Sequence, residues 1–202
     1  QVGAFDAWAD GYTGAGSKVA IIDTGLDLLH EAFAADAFEY SLSQLDGEYD
    51  LLTEEDIAAV LNQLNVVEWR PGTTAAQLYA NSKAPFAFSY IDGDLDVSHY
   101  NSEHGSHVAG ISAANKYVES DGKFVESLLA TGVQGIAPDA QILVMQVFGN
   151  GGGAYDSDYM AAIEDAIILG ADSVNLSLGS ANPGMSRSAT YQTVLDNLVG
   201  CG

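Results

Sequence analysis

The chain has 202 residues, 48% of them hydrophobic, with 28 acidic side chains against 6 basic ones and a net charge of −22. That length and apolar content suit one domain with a hydrophobic core and exclude a disordered chain. The charge argues against a nucleic-acid partner, whose phosphates it would repel, and leaves open a cationic partner, bound metal ions or a solvated acidic surface.

In chain order, the N-terminus shows no charged segment followed by an apolar one. The chain is therefore expected to be either not exported or already trimmed. Lys18 to Asp23 (KVAIID) reads as the first buried parallel strand. It delivers Asp23 onto a Thr-Gly turn, where hydroxyl and backbone donors would keep a carboxylate ionised. Such an Asp can orient a His and stabilise its imidazolium. An ordinary strand-end turn would present the same residue. A DTG after an apolar strand also suits an aspartic protease, but that mechanism needs two such carboxylates, and one copy would require a homodimer.

From Asp36 to Ser98 the composition turns acidic and turn-rich, which reads as an insertion or elaborated loop and not a separate domain. Within it, Thr53 to Asn65 has a Thr cap, acids in the first turn, and Ile57, Val60, Leu61 and Leu64 at helical spacing. Phe86 to Ile91 reads as a weaker strand. Asp92, Asp94 and Asp96 in DGDLD offer carboxylates suited to calcium, without the full EF-hand spacing.

His104 opens HGSHVAG, and His104 to Ala114, rich in Gly, Ala and Ser, reads as a helix that packs closely on its neighbours. A His at such a helix start suits general base and then general acid work. His104 and His107 could form a metal pair, but no third ligand stands at a helpful spacing and HExxH is absent. His107 is expected to pack beneath the turn.

Gln141 to Phe148 reads as the next buried strand, followed by Gly151, Gly152 and Gly153. A helix capped by Asp156 or Ser157 should run to Leu169, with Met160, Ile163 and Ile167 on one face and Gly170 as its stop. Ser173 to Leu178 is a further strand, ending in Ser177, Leu178 and Gly179. Ala189 to Val199 is a last helix. The single cysteine, Cys201, excludes an internal disulfide and a Cys-based zinc site. No apolar run approaches the roughly 18 residues that span a bilayer.

Strands alternating with helices predict an α/β fold, a parallel β-sheet flanked by helices on both faces. Sites in such sheets lie beyond the C-terminal strand ends. Asp23, the glycine run and Ser177–Gly179 should therefore converge on one edge.

VAIIDTGLDLLHEAF and EHGSHVAGISAAN resemble the Asp and His signature segments of the subtilase family of serine proteases. GIAPDAQILVMQVFG and DSVNLSLGS are similar to its substrate-binding segments, in the family's order. The large gap between the first two segments, and the helix containing YMAAIEDA, resemble the lactocepin-like cell-envelope proteinases of Gram-positive bacteria. The resemblance implies a subtilisin-type endopeptidase that is extracellular or cell-wall associated. Asp23 would be the triad acid and His104 the general base. Gly151, Gly152 and Gly153 would form one rim of a cleft and Ser177, Leu178 and Gly179 the other, with an extended polypeptide between them. No cofactor is required for that chemistry. Structural calcium is the one metal the family suggests, although HEAF lacks the Asp that many relatives place there. The Gly-Thr-Ser nucleophile segment and the oxyanion Asn are not in this chain. The resemblance therefore implies a sheet incomplete at its C-terminal side, with the remainder of the catalytic domain beyond Gly202. Alone, the 202 residues are expected to be inactive. The alternative is a non-catalytic, subtilisin-fold protein that holds extended peptides.

Overall fold

Four of the apolar runs pair into one parallel sheet. β1 (Lys18–Asp23) lies in its middle, between β5 (Gln141–Gln146) and β6 (Ser173–Asn175), and β2 (Phe86–Ser89) borders β5, giving the order β2-β5-β1-β6. The computed structural model describes residues 2–98, 102–149, 151–179 and 188–201. A separate antiparallel hairpin is made of β3 (Tyr117–Ser120) and β4 (Lys123–Glu126). The helices are α1 (Ala4–Ala9), α2 (Ala35–Ser43), α3 (Glu54–Val60), α4 (Val66–Trp69), α5 (Ala75–Leu78), α6 (His104–Ala113), α7 (Ser127–Ala130), α8 (Asp156–Ile168) and α9 (Ala189–Gly200).

Side chains alternate between the two faces of each strand, and each face buries its own core. Ile21, Ala87, Ile142 and Val144 pack with Ala109 and Ala113 of α6. Ala20, Ile22, Phe86, Phe88, Leu143 and Met145 pack with Ala162, Ile163 and Ala166 of α8. The protein is thus an α/β fold with helices on both faces of a parallel sheet. The acidic stretch contributes to the α8 side, where Leu52, Ile57, Leu64, Val66 and Leu78 join the same core.

Three strands are shorter than their apolar runs. β5 ends at Gln146, where the N–H groups of Val147 and Phe148 both turn onto the carbonyl of Asp23. β2 ends at Ser89, which bridges to Asp94 across a turn. β6 ends at Asn175, whose Oδ1 accepts from the Ser177 hydroxyl at 2.8 Å. α8 starts after Tyr155, so Asp156 and Ser157 lie inside its first turn and do not cap it. Asp156 and Asp158 there favour the positive end of the helix dipole instead.

The helix expected over Thr53–Asn65 keeps its Thr53 capping box but ends at Val60, continues as a 3-10 turn over Leu61–Gln63, and becomes extended at Leu64. A tertiary bond explains the break. Asp165, on α8 and 0% exposed, accepts from the Asn65 N–H at 2.6 Å, the Asn65 side-chain amide at 3.0 Å, the Val66 N–H at 3.2 Å and the Tyr90 hydroxyl at 2.8 Å. The backbone turns so that two donors at the start of α4 meet one buried carboxylate.

The second anchor is Lys83, fully buried, whose Nζ donates to the carbonyls of Pro138 (2.9 Å) and Ala140 (2.6 Å) and sits over the Phe38 ring. Burial pulls its ammonium pKa down to about 7, against the attraction of Asp139. The hairpin docks through Tyr117 and Phe124 onto Tyr40 of α2, and its turn uses positive φ at Asp121 and Gly122.

Burial pushes the Asp165 carboxyl from 3.8 up to about 6, against the pull of its four donors. Between pH 6 and 4 the folded state therefore holds a proton that the unfolded chain has released, so this group's contribution to stability rises as pH falls through that window. Replacing Asp165 with Asn should remove about 2 kcal/mol of pH dependence between pH 6 and pH 4. The check is urea unfolding of both proteins at pH 4 and pH 6. Equal pH dependence in the two proteins would contradict it.

Candidate active site

The carboxyl ends of all four parallel strands meet at one edge of the sheet, with Asp23 at the centre. The loop after β5 lies on one side of it and the segment after β6 on the other. Asp23 is 1% exposed, and its Oδ1 accepts from the Thr24 N–H at 2.7 Å and from His104 Nδ1 at 2.7 Å. An ionised carboxylate only accepts, so Nδ1 carries the proton and the neutral imidazole leaves Nε2 as its free base. The His104 side chain is 49% exposed. A buried acid thus orients a ring that reaches solvent.

Backbone contact sets this distance. The Thr24 hydroxyl accepts from the Gly105 N–H at 2.9 Å and lies 3.3 Å from the carbonyl of Ser102, to which it donates. A Cβ on Gly105 would fall 2.2 Å from the carbonyl oxygen of Gly25. Gly25 has φ 103°, and a Cβ there would fall 2.1 Å from the carbonyl oxygen of Val97. A bare Gly105 therefore lets the start of α6 touch the turn after β1, and a bare Gly25 lets that turn take the Val97 carbonyl.

The two expected rims sit as follows. Gly151, Gly152 and Gly153 are exposed, and among the described residues no atom approaches within 4 Å of where their Cβ atoms would be. Their bareness therefore serves no packing among those residues. Ser177 and Gly179 are exposed, while Leu178 is half-buried against the α8 core. Ser180, the last residue of that sequence segment, lies outside the described residues.

His107 departs from expectation. It is exposed, not packed beneath the turn. Gly105, Ala109 and Ala113, four residues apart, form the buried face of α6. His107 therefore falls with His104 and Ile111 on the outer face. Asp94 and Asp96 use their carboxylates on loop donors, the N–H groups of Asp96 and Ser98. Among the described residues no three His, Cys, Asp or Glu side chains group to hold a metal ion.

Two further side chains complete the arrangement. Thr24, whose hydroxyl was expected among the donors to Asp23, gives that carboxylate its N–H and turns the hydroxyl to the start of α6. Gln146, 3% exposed, donates from Nε2 to the Thr24 carbonyl at 3.0 Å. The available signal was a glutamine, Gln146, set between apolar Met145 and Val147.

The subtilase family model matches residues 14–200. The chain is 34% identical over 175 residues to the PI-type proteinase of Lactococcus lactis subsp. cremoris, covering 84% of this chain and 8% of that protein. It is 31% identical over 208 residues to the minor extracellular protease Vpr of Bacillus subtilis (strain 168), covering 98% of this chain and 18% of that one. The crystal structure of a lanthipeptide protease shares the fold, with a TM-score of 0.54 at 21% identity over 98% of this chain and 40% of its own. The chain therefore spans less than a fifth of the length of these two relatives.

Gly105→Ala should cost about 1–3 kcal/mol by driving a methyl into the Gly25 carbonyl. It should also break the His104–Asp23 hydrogen bond. Gly110→Ala, on the same helix with open space around it, should instead stabilise by about 0.5–1 kcal/mol. Denaturant unfolding checks the stabilities, and the imidazole N–H resonance of His104 checks the hydrogen bond.

Proposed function

The chain belongs to the subtilase family, and on that premise we propose that it forms the Asp- and His-bearing part of a serine endopeptidase domain. The supporting observation is the 2.7 Å bond from His104 Nδ1 to a carboxylate that is 1% exposed, beside a ring half open to solvent. In this reading His104 Nε2 takes the proton of a serine hydroxyl as that oxygen attacks the scissile carbonyl, then returns it to the leaving amine. Asp23 holds the imidazole in the required tautomer and stabilises the imidazolium that forms. The reaction also needs a serine nucleophile and a side chain that steadies the oxyanion, and the family's Gly-Thr-Ser segment is not among these 202 residues.

The substrate is a polypeptide in extended conformation. It would lie between Gly151, Gly152 and Gly153 on one side and Ser177, Leu178 and Gly179 on the other, bonded through its main chain. Open space at the glycines leaves room for a second backbone to approach. An extracellular place of action follows the relatives, and among the described residues no helix is long and apolar enough to cross a membrane.

The test is fluorophosphonate labelling of the full-length protein, followed by peptide mapping. One serine beyond Gly202 should be labelled. His104→Ala should lower kcat by roughly 10⁶-fold and Asp23→Asn by roughly 10⁴-fold, since members of a triad act as a unit. Folded full-length protein with no labelled serine would leave peptide binding without cleavage as the function.

A further inference from the structure

Three buried polar side chains lie next to one another at the top of the α6 face of the sheet. The strand register aligns Asp23 with Gln146 and Gln146 with Ser89, and the three are 1%, 3% and 0% exposed. By strand alternation all three side chains leave on the same face as Ile21, Val144 and Ala87, the face that α6 covers. Asp23 belongs to the proposed chemistry. The Ser89 hydroxyl accepts from the Asp92 N–H at 3.4 Å within its own turn. Gln146 has no role in the mechanism above.

Its surroundings define one. Nε2 donates to the carbonyls of Thr24 (3.0 Å) and Phe148 (3.4 Å). Both partners are acceptors, so only the NH₂ end of the amide can face them. Oε1 is buried and meets no donor among the described residues. Leaving that oxygen unsatisfied is unfavourable, and the amide is held this way round by the two carbonyls alone. The side-chain carbon Cδ also lies 3.3 Å from where a Cβ on Gly25 would stand, so the glutamine underlies the turn that follows Asp23.

We propose that Gln146 is a positioning residue for the Asp23–His104 pair. It holds the Thr24 carbonyl from the strand side, while the Gly105 N–H holds the Thr24 hydroxyl from the helix side. Clamped at both ends, Thr24 keeps its own N–H on Asp23 Oδ1, the oxygen that His104 shares. A neutral donor serves here without placing a second charge beside the carboxylate. This inference rests on the endopeptidase reading.

The experiment measures the rate of fluorophosphonate labelling in the full-length protein for wild type, Gln146→Met and Gln146→Lys, with circular dichroism and melting to confirm folding. Met keeps the bulk and loses the donor, and it should label about 10–100-fold more slowly, the scale expected when reacting groups are displaced by about an ångström, while peptide KM is unchanged. Lys restores a donor and should recover most of the rate. Its cation would oppose protonation of His104, so the midpoint of its pH–rate profile should move to lower pH. Should the Met protein fail to fold, Gln146→Leu, apolar and without a donor, takes its place. Wild-type rate and pH profile in the donor-less variant would overturn the proposal. Equal slowing in the Met and Lys proteins with no shift in midpoint would also overturn it, since packing alone would then be the cause. No labelling of wild type would overturn the endopeptidase reading itself and this inference with it, an outcome the wild-type control identifies.

Discussion

The site depends on one close approach, that of the backbone at Gly105 to the backbone at Gly25. A Cβ on Gly105 would fall 2.2 Å from the Gly25 carbonyl oxygen. With Gly105 bare, the start of α6 settles onto the turn after β1, and His104 comes within a hydrogen bond of Asp23. The sheet order sets the rest. Because β1 runs between β5 and β6, the acid stands between two loops that leave the same edge. A parallel sheet places all its carboxyl ends together, so position in the sheet and glycine contact jointly locate the pair.

Buried polar groups then fix the long acidic stretch to this frame. Asp165 gathers four donors from Asn65, Val66 and Tyr90, and Lys83 ties the segment before β2 to the carbonyls before β5. Each is costly to bury alone and directional once bonded. Apolar packing supplies attraction between the stretch and the α8 face. These two side chains specify where along that face the stretch is attached.

The elements whose signal is local could be read from the sequence. β1 runs from Lys18 to Asp23 as its apolar run predicts, and α8 stops before Gly170 as the glycine indicates. The α/β class followed from the alternation of such elements. The interrupted helix after Thr53 was not readable, because Asp165, about a hundred residues away, ends it. Nor was the outward face of His107, which depends on which side of α6 meets the sheet. The hairpin over Tyr117–Glu126 was missed although Asp121 and Gly122 form a strong two-residue turn signal. At the site, Asp23 and His104 stood out by their motifs. Gln146 and the bonds of the Thr24 hydroxyl emerge only when strand register is known, because their partners are backbone atoms from other segments.

The burial of Lys83 has a consequence for the chain's own survival among proteases. Only six residues in 202 are Lys or Arg, namely Lys18, Arg70, Lys83, Lys116, Lys123 and Arg187. Lys83 is sealed inside, Lys18 is nearly so, and Arg70 and Lys116 are half-covered. Among the described residues Lys123, on a tight hairpin, is the exposed one. An enzyme that cuts after basic residues must seat an extended stretch around one of them. The described residues offer it one such foothold, so across them composition and burial together leave little for trypsin-like digestion to start from.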